Sequence, residues 1–212
     1  LGLLILAVSW IAGYWYMWKA SKGKVPFVRE LPALKAIDEA IGRAAAMGKP
    51  VHVTTGHSGG GMASYLAGDH LCGFSVLSHV ARKCAEREVD LRVTVAFSEM
   101  IPIAEDVIRF AAVAAGKPDY LRPDMVRFAS DNWLGYDMYA MTMASESAAN
   151  IMIGAMDVTS AVIIACGGLM SGSINIGGAR EPSNVACFVP FCDYVLIGEE
   201  TPAAGALVLS LI

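Results

Sequence analysis

Gly56, His57, Ser58, Gly59 and Gly60 follow the run Val51–Thr55 and spell G-x-S-x-G. After a strand, that spacing forms the turn on which α/β-hydrolases expose a nucleophilic serine. The serine needs a base, and in that fold the order along the chain is serine, acid, then histidine. The histidines here are His52, His57, His70 and His79, so none lies beyond residue 79. The turn follows the first strand instead of several, and adjacent side chains such as His57 and Ser58 rarely align for proton transfer. A serine hydrolase acting through Ser58 is the least favoured of three readings.

The same glycines suit a different chemistry. Gly59, Gly60 and Gly61 let successive backbone N–H groups turn inward as a nest for an anion, helped by a nearby helix N-terminus. Two phosphate fingerprints are incomplete, however. No G-K-[ST] follows, and in the G-x-G-x-x-G register Gly59 and Gly61 fit while Ser64 replaces the third glycine. Glu99 ends the second predicted strand, where a ribose-binding acid would stand, but it lies about forty residues beyond the loop instead of about twenty. No Lys or Arg occurs between Lys49 and Arg82, so no local side-chain cation is supplied for a phosphate. The stretch from Gly56 to Asp69 is long for a connection in a compact domain, and three glycines raise the entropy cost of ordering it. A contact with a second subunit is the expected offset, with Ser58 an ordinary loop serine.

In open parallel sheets ligands sit beyond the carboxyl ends of the strands. Those ends carry Gly56, Glu99, Asp131, Asp157 and Glu199. Acids on such a rim attract cations, although polar loop ends are ordinary in these folds. The cysteines are Cys72, Cys84, Cys166, Cys187 and Cys192, an odd number with no C-x-x-C pair. That spacing argues for buried thiols in a reducing compartment and against zinc. Met138, Met141 and Met143 suit adaptable packing better than a metal box. No metal and no cofactor is expected.

The elements that position these residues alternate in type. An amphipathic helix puts Leu34, Ile37, Ile41, Ala44 and Ala45 on one face and ends at Gly48 and Pro50. Strands are predicted at 51–54, 91–97, 125–129, 150–153, 174–176 and 194–197. Helices are predicted at 71–88, 102–115, 134–147 and 160–170. Apolar strands alternating with helices imply a parallel sheet covered on both sides. The fold class is α/β: a Rossmann-like, doubly wound, mostly parallel sheet of about six strands, preceded by an N-terminal transmembrane helix.

That helix rests on Leu1–Trp18, which carry no charge. Trp10, Trp15 and Trp18 stud the run, and Lys19, Lys22, Lys24 and Arg29 follow it. A bilayer needs roughly 17–25 apolar residues, and basic residues favour the cytoplasmic flank. The expected division is a membrane helix at 1–18, a basic linker at 19–32, the α/β domain at 33–200 and a C-terminal apolar helix at 201–212. The last helix either packs on the sheet or opens a longer apolar segment. Residues 19–30 carry +3 and the rest of the chain −7, for a net −4. A mildly acidic body argues against nucleic acid as a partner.

Two stretches carry a resemblance. They run from Arg29-Glu30-Leu31-Pro32 through Arg43-Ala44 to Met47-Gly48-Lys49-Pro50-Val51, and over Cys192-Asp193-Tyr194-Val195-Leu196-Ile197-Gly198-Glu199-Glu200. The chain resembles, over residues 29–205, an uncharacterised prokaryotic, membrane-anchored family known only as a domain of unknown function. The resemblance implies an N-terminal anchor and one α/β domain, and it supplies no activity or catalytic residue.

Three functions follow as expectations. The first is a non-enzymatic, membrane-anchored scaffold or coat-like homo-oligomer at the cell membrane, with its domain in the cytoplasm and the lipid bilayer as partner. The second is a small-ligand or nucleotide-binding sensor or enzyme using the Gly56–Gly61 loop. The serine hydrolase is the third.

Overall fold

The computed structural model describes residues 2–22, 31–129 and 132–209, and the chain divides into two units, residues 1–30 and 31–212. Lys24 and Asp131 lie outside the described residues.

In the first unit, helix α1 (Gly2–Ser21) takes up the uncharged stretch, and none of its side chains is buried. Trp10, Trp15 and Trp18 are exposed. Lys19 and Lys22 lie over the Trp15 and Trp18 rings, 4.9 and 3.5 Å from the centroids. The expected membrane-crossing helix is corrected here: among the described residues, no helix is long and apolar enough to cross a membrane. The reason lies in its second half. Tyr14, Trp15, Tyr16 and Trp18 crowd that end and Lys19 follows; such side chains favour the headgroup level over hydrocarbon.

The second unit begins with α2 (Pro32–Met47), which starts on a proline and ends at Gly48 in the left-handed conformation. Then follow β1 (Val51–Gly56), α3 (Ala67–Glu86), β2 (Leu91–Val95), α4 (Met100–Ala114), β3 (Val126–Phe128) and α5 (Trp133–Glu146). The chain continues through β4 (Ala149–Ala155), α6 (Val158–Ser171), β5 (Ile174–Ala179), α7 (Pro182–Phe188), β6 (Tyr194–Ile197) and α8 (Glu200–Leu209). The six strands form one sheet in the order β3-β2-β1-β4-β5-β6. Every pairing is parallel. This is the strand order of the doubly wound dinucleotide-binding architecture, with its reversal between β1 and β4.

All residues of β1 and β4 are buried, as strands covered on both faces must be. Ile37 and Ile41 of α2, Leu77 of α3 and Ile108 of α4 fill one face. Tyr136 of α5, Ile164 of α6 and Phe188 of α7 fill the other. Helix α8 packs against α3 and β6, with Ala204 fully buried. Helix α7 has no counterpart in the sequence expectation, because seven residues are too few to display a helical period.

A polar rung crosses this apolar core. Thr94 of β2, His52 of β1, Asn150 of β4 and Asn175 of β5 are all buried. His52 Nδ1 lies 2.8 Å from Asn150 Oδ1, and His52 Nε2 lies 3.0 Å from Thr94 Oγ1. Asn150 Nδ2 donates to Asn175 Oδ1 at 2.9 Å, and Asn175 Nδ2 donates to the carbonyls of Ala165 and Phe191. Because Asn150 uses its amide N–H toward Asn175, its oxygen accepts from His52 Nδ1–H, which leaves Nε2 to accept from the Thr94 hydroxyl. Burial lowers the His52 pKa to about 4, so the ring is neutral and can hold both roles. Helix α6 crosses the rung at Gly168, where a Cβ would strike Asn175 Oδ1.

Candidate functional site

The carboxyl ends of β1 and β4 meet where the strand order reverses. The register slips between Thr54 and Gly56, so Gly56 pairs with Ala155. Gly56 has φ +79°, and a Cβ there would run into the Ala155 carbonyl oxygen. No other residue allows both the left-handed backbone and that approach.

Beyond Gly56 the chain runs through short turns over Ser58–Ala63, broken in the middle by Gly59, Gly60 and Gly61, whose φ lies between +79° and +81°. Gly60 faces open space, whereas a Cβ at Gly61 would meet the Glu99 carboxylate. The structure therefore brings Glu99, exposed at the start of α4, beside the glycine loop. His70 of α3 stands between two loop carbonyls, with Nδ1 3.2 Å from that of Thr55 and Nε2 3.2 Å from that of Ser58, and the neutral ring donates its one N–H to either of them. Burial lowers the His70 pKa against these contacts.

Beside Ser58 a cleft of about 390 Å³ opens among the loops that follow β1, β4 and β5. Ser58 and Asp69 line it from the β1 side, Asp157 from the β4 side, and Arg180, Glu181 and Asn184 from the β5 side. Among the glycine-loop candidates, Ser58 alone lines this cleft; Gly56, Gly59, Gly60, Gly61 and Glu99 build the ground beside it. Three carboxylates face one guanidinium, and Arg180 Nε is already 3.4 Å from Asp69 Oδ1. Asp157 caps α6 by accepting from the Ser160 N–H at 2.8 Å. Asp69 stands in the first turn of α3, and Glu181 precedes α7. Each helix N-terminus at the cleft thus carries its own carboxylate where this architecture would seat a phosphate.

His57 turns away from Ser58 and into the domain. Its Nε2 is hydrogen-bonded to Ser160 Oγ and lies 3.5 Å from both Asp137 Oδ1 and Asp157 Oδ2. The Tyr136 ring stands edge-on to the imidazole at 5.2 Å between centroids, and the Tyr136 hydroxyl is hydrogen-bonded to Thr54 Oγ1. Asp137 is fully buried, and neither of its carboxylate oxygens has a hydrogen-bond partner. Burial opposes a charge on His57, but Asp137 and Asp157 favour it and prevail, so the His57 pKa is raised. The arrangement is not a hydrolase triad. That chemistry offers one ring nitrogen to the serine and the other to the acid, whereas here Ser160 and Asp137 face the same nitrogen. Among the described residues no group of His, Cys, Asp and Glu side chains is placed to hold a metal ion.

In the sequence His57 stands only as a neighbour of Ser58 poorly placed to serve as its base, and Asp137, Ser160 and Arg180 belong to no local motif. A usable signal existed for Asp137: an acid between Tyr136 and Met138, on the face of α5 that also buries Tyr136, Ala140 and Ala144. Arg180 carried none, because it reaches Asp69 only through the sheet topology.

Nothing among curated proteins or solved structures matches the chain. The family model described as "Domain of unknown function (DUF6754)" matches residues 1–210, α1 included, and the chain belongs to that family.

Proposed function

We propose that the α/β domain is a small-ligand-binding module whose site is the cleft beside Ser58, held at a bilayer surface by α1. The observation that carries this reading is position: the cleft opens where the strand order reverses, the place at which open parallel sheets bind their ligands. Asp69, Asp157 and Glu181 give it a negative field and occupy the helix N-termini, so the ligand is a hydroxyl- or amine-bearing molecule without phosphate. Among the described residues that line it, Arg180, through its exposed guanidinium, supplies the positive contact. For α1, the aromatic and lysine-rich end supports residence at the headgroup level.

Paired compounds test the ligand class: adenosine against AMP, choline against phosphocholine, and a hexose against its phosphate. Thermal unfolding is expected to rise with an unphosphorylated member and to stay unchanged with its phosphorylated partner. Stabilisation by the phosphorylated members alone, or by none of the six, overturns the reading.

A second reading, a membrane-associated homo-oligomeric scaffold, is favoured by one observation. Helices α5 and α6 pack on each other and leave Trp133, Leu134, Met138, Leu169 and Met170 exposed. Large apolar side chains of this kind serve as subunit contacts. Light scattering in mild detergent distinguishes an oligomer from a monomer.

A further inference from the structure

We propose that His57 and Asp137 form a proton-binding latch that ties the loop after β1 to α5 and so fixes the wall of the cleft that Ser58 provides. The latch stands on geometry. The loop can hinge at Gly56 and at Gly59–Gly61, all in the left-handed region. Between those hinges His57 is the side chain that enters the domain, with only 11% of its side-chain surface exposed.

The groups facing it come from two elements. Asp137 and Tyr136 approach from α5, Asp157 and Ser160 from the start of α6. Two of these are carboxylates, and among the described residues no Lys or Arg forms an ion pair with either. Asp137 has no exposure and accepts no hydrogen bond, so an imidazolium at His57 is the counter-charge within reach. One Nε2–H faces three oxygens and can satisfy one hydrogen bond at a time, so charge, more than hydrogen bonding, holds the cluster together.

Loss of the His57 proton removes that charge and strands the Asp137 carboxylate in the interior, an arrangement that folded proteins avoid. Relief comes from swinging the loop out at its glycines and admitting water to Asp137. Because the His57 pKa is raised, the latch is closed at and below the ordinary histidine range and releases as the pH climbs through that raised value. From α3, His70 donates to the Thr55 or the Ser58 carbonyl, with Asp69 and Glu99 as charged neighbours. Its pKa is shifted the other way, so it does not release over the same interval. The effect on ligand access rests on the cleft reading; the latch itself does not.

The test is an NMR titration of the full chain in detergent micelles from roughly pH 6 to pH 9. It follows the His57 ring and the hydrogen-exchange protection of the Gly59, Gly60 and Gly61 amides, corrected for intrinsic exchange. The expected result is a His57 midpoint above the ordinary value and at least a tenfold fall in protection with the same midpoint. Asp137→Asn is expected to lower the midpoint and abolish the pH dependence. Should Asp137→Asn fail to fold, His57→Gln serves instead and is expected to show the low, alkaline level of protection at every pH. A His57 midpoint below the ordinary value, pH-independent protection in the unaltered protein, or unchanged pH dependence in the variant that folds each overturns the latch.

Discussion

His57 Nε2 stands 3.5 Å from Asp137 Oδ1, and Asp137 is completely buried in α5 without a hydrogen bond to either oxygen. The pair links the turn after β1 to the helix that covers it. Its energetics depend on both partners being present. Removing one leaves a buried charge uncompensated, while replacing both by apolar groups does not.

A double-mutant cycle follows from that relationship. His57→Leu is expected to cost about 3 kcal/mol near neutral pH, the magnitude found when a buried pair loses one member. His57→Leu combined with Asp137→Leu is expected to recover more than half of that loss. Urea denaturation of the four proteins gives the coupling directly. Strict additivity would mean that the two side chains do not interact.

The fold was legible in the sequence for simple reasons. Val51-His52-Val53, Asn150-Ile151-Met152-Ile153 and Ile174-Asn175-Ile176 read as buried strands, and the periodicity of Leu34, Ile37 and Ile41 marks α2. Those same strands also held an unread signal. Each places one polar residue between apolar neighbours, and His52, Asn150 and Asn175 fall in one register row. The site was less legible because its contacts join segments far apart in sequence: His57 to Asp137 and Ser160, Asp69 to Arg180. Local spacing carries no record of such pairings. In the G-x-S-x-G motif the first glycine lets β1 approach β4.

The polar rung predicts acid sensitivity. The folded-state pKa of His52, about 4, lies below its unfolded value near 6.5. The unfolded chain therefore binds the proton first as pH falls. Stability from this residue is complete above about pH 6.5 and declines toward and below pH 4, by at most about 3 kcal/mol. His70 and His79, whose pKa values are also lowered by burial, act in the same direction. Denaturation at neutral pH and near pH 4.5 measures the loss, and a stability that rises over this interval would contradict the assignment.

The glycine loop predicts an ordering of substitutions. Gly60→Ala meets no neighbour and carries only the strain of φ +80°, about 1–2 kcal/mol. Gly61, at φ +81° and ψ −156°, occupies a region that is essentially restricted to glycine, and a Cβ there also strikes the Glu99 carboxylate, so Gly61→Ala is expected to cost more. Adding Glu99→Ala should narrow the difference without removing it, because the backbone strain at Gly61 remains. Ser58→Ala is expected to leave folding unchanged. Thermal unfolding of these variants checks the order.

Helix α1 predicts shallow contact with lipid. With anionic vesicles, the fluorescence of Trp10, Trp15 and Trp18 is expected to shift to the blue and to be quenched by probes at headgroup depth. Quenching by probes at the bilayer centre instead would place the helix in the hydrocarbon core.

The central claim is that the cleft beside Ser58 binds a small, unphosphorylated polar molecule, and amide chemical shifts measure it most directly. Labelled protein titrated with adenosine, choline and a hexose is expected to show saturable shifts at Ser58, Asp69, Asp157, Arg180 and Asn184 for at least one of them. Thr159→Trp, which fills the cleft from the first turn of α6, should abolish those shifts. Shifts that persist in Thr159→Trp, that map elsewhere, or that appear with none of the three compounds would contradict the claim.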